Sequence, residues 1–106
     1  MRNPETLHIK TLSGDWCDKD QVILHACFQL LTDFVEQEKA KDIVDWTHNE
    51  ETRSAGNEID ELYRWWKQRI LQETDGTIDP IWSEGVYQED NEMLIRLINI
   101  RKFMWT

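Results

Sequence analysis

The segment Ile59-Asp60-Glu61-Leu62-Tyr63-Arg64-Trp65-Trp66-Lys67-Gln68-Arg69-Ile70 decides the fold class of this chain. Its apolar side chains stand three or four residues apart, at Ile59, Leu62, Tyr63, Trp66 and Ile70. That spacing places them on one face of an α-helix, whereas a half-buried strand would alternate at every second residue. We therefore predict an amphipathic helix over residues 50–72, which the turn-forming Thr74-Asp75-Gly76 brings to an end.

Two more helices are predicted, one on each side of this segment. The first covers residues 20–38, where two adjacent apolar rows follow the helical period: Ile23, Cys27, Leu30, Phe34 and Leu24, Phe28, Leu31, Val35. The third covers residues 80–104, because Asp79-Pro80 combines an N-cap with a proline at the first helical position. Residues 1–19 form an extended arm, in which Leu7 and Ile9 alternate with polar side chains as in a short strand.

These elements predict one all-α domain over residues 1–106, an antiparallel three-helix bundle with a short extended N-terminal arm. The third helix is apolar on more than one side between Leu94 and Met104, which indicates a surface for self-association. We therefore expect a homo-oligomer, in which the strand-like arm could pair across a dimer.

Charge and composition exclude several classes of protein. Lys and Arg number 12 and Asp and Glu 21, so the formal net charge is −9. This sign argues against direct binding to a nucleic-acid backbone. No apolar run is long enough to span a membrane, and the N-terminus carries no hydrophobic leader, so we expect a cytoplasmic protein. Two cysteines, Cys17 and Cys27, are too few for a disulfide scaffold.

Four acidic residues form two pairs with helical spacing, Asp33 with Glu36 on the first helix and Glu58 with Glu61 on the second. Within each pair, the interval of three residues puts both carboxylates on one helical face. If the two helices are antiparallel neighbours, the pairs could converge on a hard divalent ion such as Mg²⁺. The alternative is that all four carboxylates lie on solvated helix faces.

The two pairs resemble the ExxE and ExxD motifs of MazG-like all-α nucleotide pyrophosphohydrolases, over residues 33–61. Asp33 stands where that family has Glu, and Glu61 stands where it has Asp. The resemblance implies that Asp33, Glu36, Glu58 and Glu61 bind Mg²⁺ and that a carboxylate orients the water that attacks a nucleoside triphosphate. A Mg²⁺-dependent pyrophosphohydrolase is therefore the alternative function for this chain.

A second candidate site surrounds Trp65. Because Trp66 belongs to the apolar face, Trp65 lies about 100° away around the helix, at the edge of the core. Its ring could stack on a base or on an aromatic side chain of a partner, while Arg64, Lys67 and Arg69 bind a phosphate. Alternatively, Trp65 only covers the edge of the core and the cations form surface ion pairs.

On the first helix, His25, Gln29 and Asp33 form a polar row at intervals of four residues. His25 and Asp33 are about 12 Å apart along a helix, too far to act directly as an acid–base pair. The row could instead contact a bound ligand, with His25 and Gln29 as further ligand-binding residues. The alternative is an ordinary polar surface without such a role.

Five segments together resemble small uncharacterised proteins encoded by tailed bacteriophages: Gly14–Asp18, Leu24–Gln29, Asp33–Glu36, Tyr63–Lys67 and Arg101–Thr106. The resemblance covers nearly the whole chain and implies an accessory protein acting in the cytoplasm of a bacterial host. It carries over no activity and no functional residue. With the cluster at Trp65, it leads to the hypothesis of a non-enzymatic protein that uses no cofactor. Such a protein would bind and block or sequester a host factor, either a defence protein or a small nucleotide signal.

Overall fold

A computed structural model describes residues 7–12, 18–39, 45–79 and 83–104 of the chain. Over these residues it contains three α-helices, α1 (Lys19–Glu36), α2 (Glu50–Thr74) and α3 (Glu84–Asn99), followed by a short 3-10 helix at Arg101–Phe103. The three α-helices pack against one another. The predicted all-α three-helix bundle is therefore confirmed. None of the described helices combines the length and hydrophobicity that crossing a membrane requires.

Side-chain contacts give the direction in which each helix runs. Glu36 at the end of α1 accepts a hydrogen bond from Tyr63 in the middle of α2. His25 near the start of α1 lies beside Glu73 near the end of α2. Helices α1 and α2 are therefore antiparallel, as predicted.

The third helix reverses direction again. Arg69, late in α2, is paired with Asp90, early in α3, whereas Glu58, early in α2, is paired with Arg96, late in α3. Helix α3 is therefore antiparallel to α2 and parallel to α1. Each helix touches the other two, so the bundle has one shared core.

The core is centred on aromatic rings from α1 and α2. Phe28 and Trp66 are stacked, with ring centroids 4.7 Å apart and planes inclined by 18°. Fully buried aliphatic side chains accompany them, at Leu31, Ile59 and Leu62. Helix α3 adds Met93 and Leu97, and Ile100 follows directly after it. Burying each large apolar side chain contributes about 1.5–3 kcal/mol to the stability of the fold. This layer therefore supplies most of the free energy that holds the helices together. The apolar face predicted for the second helix is the face that α2 buries.

The predicted start and end of the second helix agree closely with α2. Asn49 is its N-cap, and the Asn49 Oδ1 accepts a hydrogen bond from the Thr52 amide at 2.8 Å. The helix continues two residues beyond the predicted end, to Thr74, and then stops at the expected turn. Gly76 there adopts φ 80°, a left-handed conformation that other residues rarely take.

The first helix ends two residues earlier than the predicted residue 38. Beyond Glu36, the amides of Gln37 and Glu38 both donate to the carbonyl of Asp33 at 2.9 Å. Lys39 then has a φ of 52°, in the left-handed region, so the chain leaves the helix axis. The apolar period cannot reveal this end, because the polar residues after Glu36 are equally compatible with an exposed helical turn.

The predicted start of the third helix at residue 80 is wrong, because α3 begins at Glu84. Ser83 is its N-cap, and the Ser83 Oγ accepts a hydrogen bond from the Val86 amide at 3.3 Å. A serine before an acidic first turn is as good a start signal as Asp79-Pro80, and α3 itself begins after the later one. Residues 80–82 lie outside the described residues. The predicted end at 104 is also wrong, since α3 ends at Asn99 and the chain tightens into the 3-10 helix.

The N-terminal arm forms no strand over residues 7–12. The amide of Leu12 donates to the carbonyl of Ile9 at 3.4 Å, which closes a turn. This segment packs on α1 instead: the Lys10 amide donates to Gln29 Oε1 at 3.0 Å. A lone strand finds no second strand for its backbone groups within a helical domain. Here a side chain of α1, Gln29, accepts a backbone hydrogen bond of the segment instead. The rest of the arm, and with it any pairing across a dimer, lies outside the described residues.

Candidate functional site

Arg69, predicted to bind a phosphate, points into the bundle. It is 3% exposed, and its Nε and Nη2 donate to the two carboxylate oxygens of Asp90 at 2.8 and 2.7 Å. Burial alone would lower the pKa of Arg69, but the hydrogen bonds and charges of Asp90 and Glu73 together outweigh burial and raise it. Arg69 therefore remains charged and joins α2 to α3. It is not available to a ligand at the surface.

Lys67 lies at the surface on the side of α2 that faces α1. Its Nζ is 2.7 Å from Glu36 Oε2, and it lies 5.4 Å from the centre of the Tyr63 ring. The hydrogen bonds from Lys67 and from the Tyr63 hydroxyl lower the pKa of Glu36. Partial burial and the contact with Glu36 raise the pKa of Tyr63 to about 12. Lys67, Tyr63 and Glu36 thus form one polar contact between α1 and α2.

Trp65 lies at the edge of the core, as its position on the helix predicts. The indole is half-buried, its ring centroid is 5.3 Å from that of Phe28, and its Nε1 donates to Glu89 Oε1 at 2.8 Å. Arg64 beside it is exposed and donates to the backbone carbonyl of Asp60, at 3.3 Å. Four residues were predicted to bind a stacked nucleotide. Trp65 and Arg64 are adjacent and accessible, Lys67 contacts Glu36, and Arg69 is buried.

His25 and Gln29 are buried between α1 and the segment at residues 7–12. The Nδ1 of His25 lies 2.7 Å from the hydroxyl of Thr11. Gln29 accepts from the Lys10 amide, and its Nε2 donates to Asp33 Oδ1 at 2.9 Å. The polar row predicted from the sequence is therefore buried and not open surface, and Gln29 also lines a cavity against the N-terminal segment. The row anchors the N-terminal segment to α1.

Burial, followed by the positive charge of Arg69, lowers the pKa of His25 to about 4. His25 is therefore neutral at pH 7, and its Nε2, 3.8 Å from Glu73 Oε2, forms no ion pair there. In the unfolded chain, the pKa of a histidine is about 6.5. Between these values, the unfolded chain binds a proton that the folded chain does not, so acid favours unfolding.

We expect the free energy of unfolding to fall as the pH drops from 6.5 to 4, and His25 to contribute about 3 kcal/mol of that loss. Above pH 6.5, His25 contributes no pH dependence. Urea unfolding at a series of pH values measures the loss. A His25→Asn variant, which keeps a hydrogen-bonding group near Thr11, should show a shallower decline. Equal declines in both proteins would contradict a buried neutral histidine.

The four carboxylates of the predicted Mg²⁺ site are not brought together. Glu36 contacts the side of α2 that faces α1, through Lys67. Glu58 and Glu61 instead receive Arg96 of α3: Arg96 Nε donates to Glu58 Oε2 at 2.9 Å, and its Nη2 lies 3.1 Å from Glu61 Oε1.

Asp33, the fourth member, is buried beside Gln29. Within the described ranges, no group of three or more His, Cys, Asp or Glu side chains could hold a metal ion. Because a hard divalent ion needs several oxygens around one point, this arrangement does not favour the pyrophosphohydrolase.

The sequence did not reveal the residues of α3 that contact these predicted site residues. Glu89 contacts Trp65, Asp90 contacts Arg69, and Arg96 contacts Glu58. For Asp90 a signal exists: it lies three and seven residues before Met93 and Leu97, on the buried face of the helix. A carboxylate on an apolar face is costly to bury unless a cation or a hydrogen-bond donor is its partner. The sequence offers several cations, however, and only the packing selects Arg69.

Two concave surfaces of the described part of the chain are lined by residues of the predicted sites. A cavity of about 330 Å³ lies against the N-terminal segment and includes Lys10, Thr11, Gln29, Thr32 and Lys67 in its lining. A wider groove of about 690 Å³ follows the start of α2, and four glutamates line it: Glu50, Glu51, Glu58 and Glu61. We call this groove the acidic groove; Ala55, Ile100 and Phe103 give it an apolar floor.

In comparisons with protein families, curated proteins and solved structures, nothing matches this chain.

Proposed function

We propose that this chain is a non-enzymatic binding protein whose acidic groove engages a basic surface of a protein partner and thereby blocks it. The observation that carries the proposal is the combination of four glutamates with an apolar floor in one groove. The resemblance to small phage proteins makes a bacterial host factor, such as a defence protein, the class of partner we favour. The bacterial cytoplasm is then the compartment in which it acts.

The groove offers the two components of a protein interface. Its apolar floor can be desolvated by a partner, and its carboxylates form a polar rim around that floor. The side chains of Glu50, Glu51 and Glu61 are 89%, 63% and 61% exposed, so a partner can reach them. A net charge of −9 adds long-range attraction for a basic partner and speeds its association.

Cations of the chain already contact these carboxylates, but the contacts at the rim are exchangeable. Arg53 lies 3.4 Å from Glu50, and Lys102 lies 2.6 Å from Glu51, with all four side chains largely exposed. Exposed pairs of this kind contribute about 0–1 kcal/mol, so an arginine or lysine of a partner can displace them at little cost.

A small nucleotide signal receives less support than a protein partner. Of the three cations predicted to bind a phosphate, Arg69 is buried in its pair with Asp90, so the two exposed ones, Arg64 and Lys67, remain, and Lys67 contacts Glu36. A triphosphate needs several cationic or amide donors around its oxygens. Nucleotides are therefore included in the experiment as the competing ligand class.

The variant Glu50→Gln with Glu51→Gln neutralises two groove carboxylates. It should raise the dissociation constant for the captured host protein roughly five- to tenfold, because each lost charge removes part of the attraction for a basic partner. The control, Glu38→Gln with Glu92→Gln, changes the net charge equally outside the groove. Pull-down from bacterial lysate, with the captured protein then titrated against all three forms, measures the effect.

Equal binding by the groove variant and the control would contradict the proposal. Calorimetric titration with nucleoside triphosphates, and an assay of Mg²⁺-dependent pyrophosphate release, test the competing functions in parallel. Binding of a nucleotide without a protein partner would replace the proposal with sequestration of a nucleotide. Release of pyrophosphate would replace it with the hydrolase.

A further inference from the structure

We propose that the chain forms a two-fold symmetric homodimer through the exposed apolar face shared by α1 and α3, with the two copies antiparallel. We call this the α1/α3 face and define it by its exposed large apolar side chains: Ile23, Leu30, Tyr87, Ile95 and Ile98. The inference does not depend on the proposed function, because the face excludes the glutamates of the acidic groove.

Exposed hydrophobic side chains are concentrated on this face. Among the described residues, six large hydrophobic side chains are exposed, and five of them are those that define the face. The sixth, Leu71, is 61% exposed on α2. Single exposed hydrophobic residues are normal on a monomer, but a contiguous patch of them usually marks an interaction surface. Here Ile23 and Tyr87 line one cavity and Leu30 and Ile98 line another, so these side chains adjoin across α1 and α3.

Two shallow cavities lie along the line where α1 and α3 meet. The first, of about 140 Å³, is near the start of both helices and includes Ile23, Tyr87 and Leu94 in its lining. The second, of about 170 Å³, is near their ends and is lined by apolar side chains together with Arg101. Grooves between neighbouring side chains are what a third helix packs into, and a second copy supplies such a helix.

The distribution of charge along the face identifies the occupant as a second copy. Glu84 stands at the start of α3, and Arg101, which lines the second cavity, stands just beyond its end. Both are exposed, and neither has an ion-pair partner within the part of the chain that the structure describes. At the α-helical rise, they are about 25 Å apart. The face therefore carries a negative end and a positive end on either side of an apolar centre.

A two-fold axis perpendicular to the helices makes such a face complementary to itself. It reverses one copy relative to the other, so that Glu84 of each chain approaches Arg101 of its partner. From Glu84 to Arg101, a stripe of side chains follows the alternating steps of three and four residues that are typical of packed helices. Its members are Glu84, Tyr87, Asn91, Leu94, Ile98 and Arg101. An axis between Asn91 and Leu94 also places Tyr87 opposite the partner's Ile98. A parallel arrangement would bring like charges together.

Sedimentation velocity over a wide range of protein concentration tests the dimer. We expect the wild type to reach twice the 12.8 kDa mass of one chain. Ile98→Asp should raise the dimer dissociation constant at least about tenfold, because it places an unpaired charge in the apolar centre. Leu71→Asp is the matched control, since it puts the same charge on an exposed hydrophobic position outside the face, and it should leave the constant unchanged.

The charged ends test the antiparallel arrangement. Glu84→Arg and Arg101→Glu should each weaken the dimer about two- to fivefold, and the double variant should recover most of the loss. Circular dichroism confirms that each variant is folded, and Ile95→Asp provides a second substitution in the centre. The proposal is overturned if the wild type is monomeric at every concentration, or if Leu71→Asp weakens the dimer as much as Ile98→Asp. A double variant weaker than both single variants would overturn the antiparallel register.

Discussion

Replacing Arg69 with methionine is expected to lower the free energy of unfolding by about 3–5 kcal/mol, because it leaves the Asp90 carboxylate buried without its partner. Arg69 and Asp90 are 3% and 4% exposed, and two hydrogen bonds join them. Water therefore cannot take the place of the lost guanidinium. Urea unfolding monitored by circular dichroism measures the change. An effect of this size is a large fraction of the stability of an ordinary domain.

Two further variants separate this buried pair from a surface one. Adding Asp90→Leu to Arg69→Met should recover much of the lost stability, because well-packed apolar side chains replace a buried ion pair at little cost. Arg53→Met breaks the exposed pair with Glu50 and should cost less than about 1 kcal/mol. If Arg69→Met were as mild as Arg53→Met, Arg69 would be free to bind a phosphate, as the sequence suggested.

Replacing Trp66 with alanine is expected to cost about 3–5 kcal/mol, because it opens a cavity at the centre of the core. Trp66 is 2% exposed, stacks on Phe28 and meets the edge of His25 with ring centroids 5.0 Å apart. The surrounding helices cannot close this space without losing their own contacts. Thermal and urea unfolding both measure the loss.

The neighbouring Trp65→Ala is the matched control, because it removes the same side chain from a half-buried position. Its loss should be clearly smaller, and the variant should remain folded. The same variant also bears on function: a Trp65→Ala protein that keeps full binding to its partner agrees with a site in the acidic groove. Equal losses for Trp65→Ala and Trp66→Ala would contradict the position of the core in α2.

Some features of this structure can be predicted from neighbouring residues in the sequence, and others cannot. The burial of Trp66 and the marginal position of Trp65 follow from the period of α2, because neighbouring residues on a helix point about 100° apart. The cap at Asn49 and the turn at Gly76 are likewise local. By contrast, both Asp79-Pro80 and Ser83 are sequence signals for a helix start, and no local feature predicts that α3 begins after Ser83.

The candidate sites were harder to predict than the helices, because a charged side chain has no preferred partner within its own segment. His25 and Gln29 were recognised as a polar row, but their role depends on residues 7–12 lying across α1. Glu58 and Glu61 do share a helical face as predicted, yet they face Arg96 of α3 and not the Asp33 and Glu36 carboxylates of α1.

The sequence by itself determined that this is an all-α bundle and which faces of its helices are apolar, because helical period, caps and turns act over a few neighbouring residues. Only the tertiary structure decided which polar side chains became partners. Arg69 faces Asp90 rather than solvent, and the glutamates at the start of α2 border a groove floored by Phe103. Electrostatic roles depend on distances of a few ångströms across helices, and those distances exist only once the chain has folded.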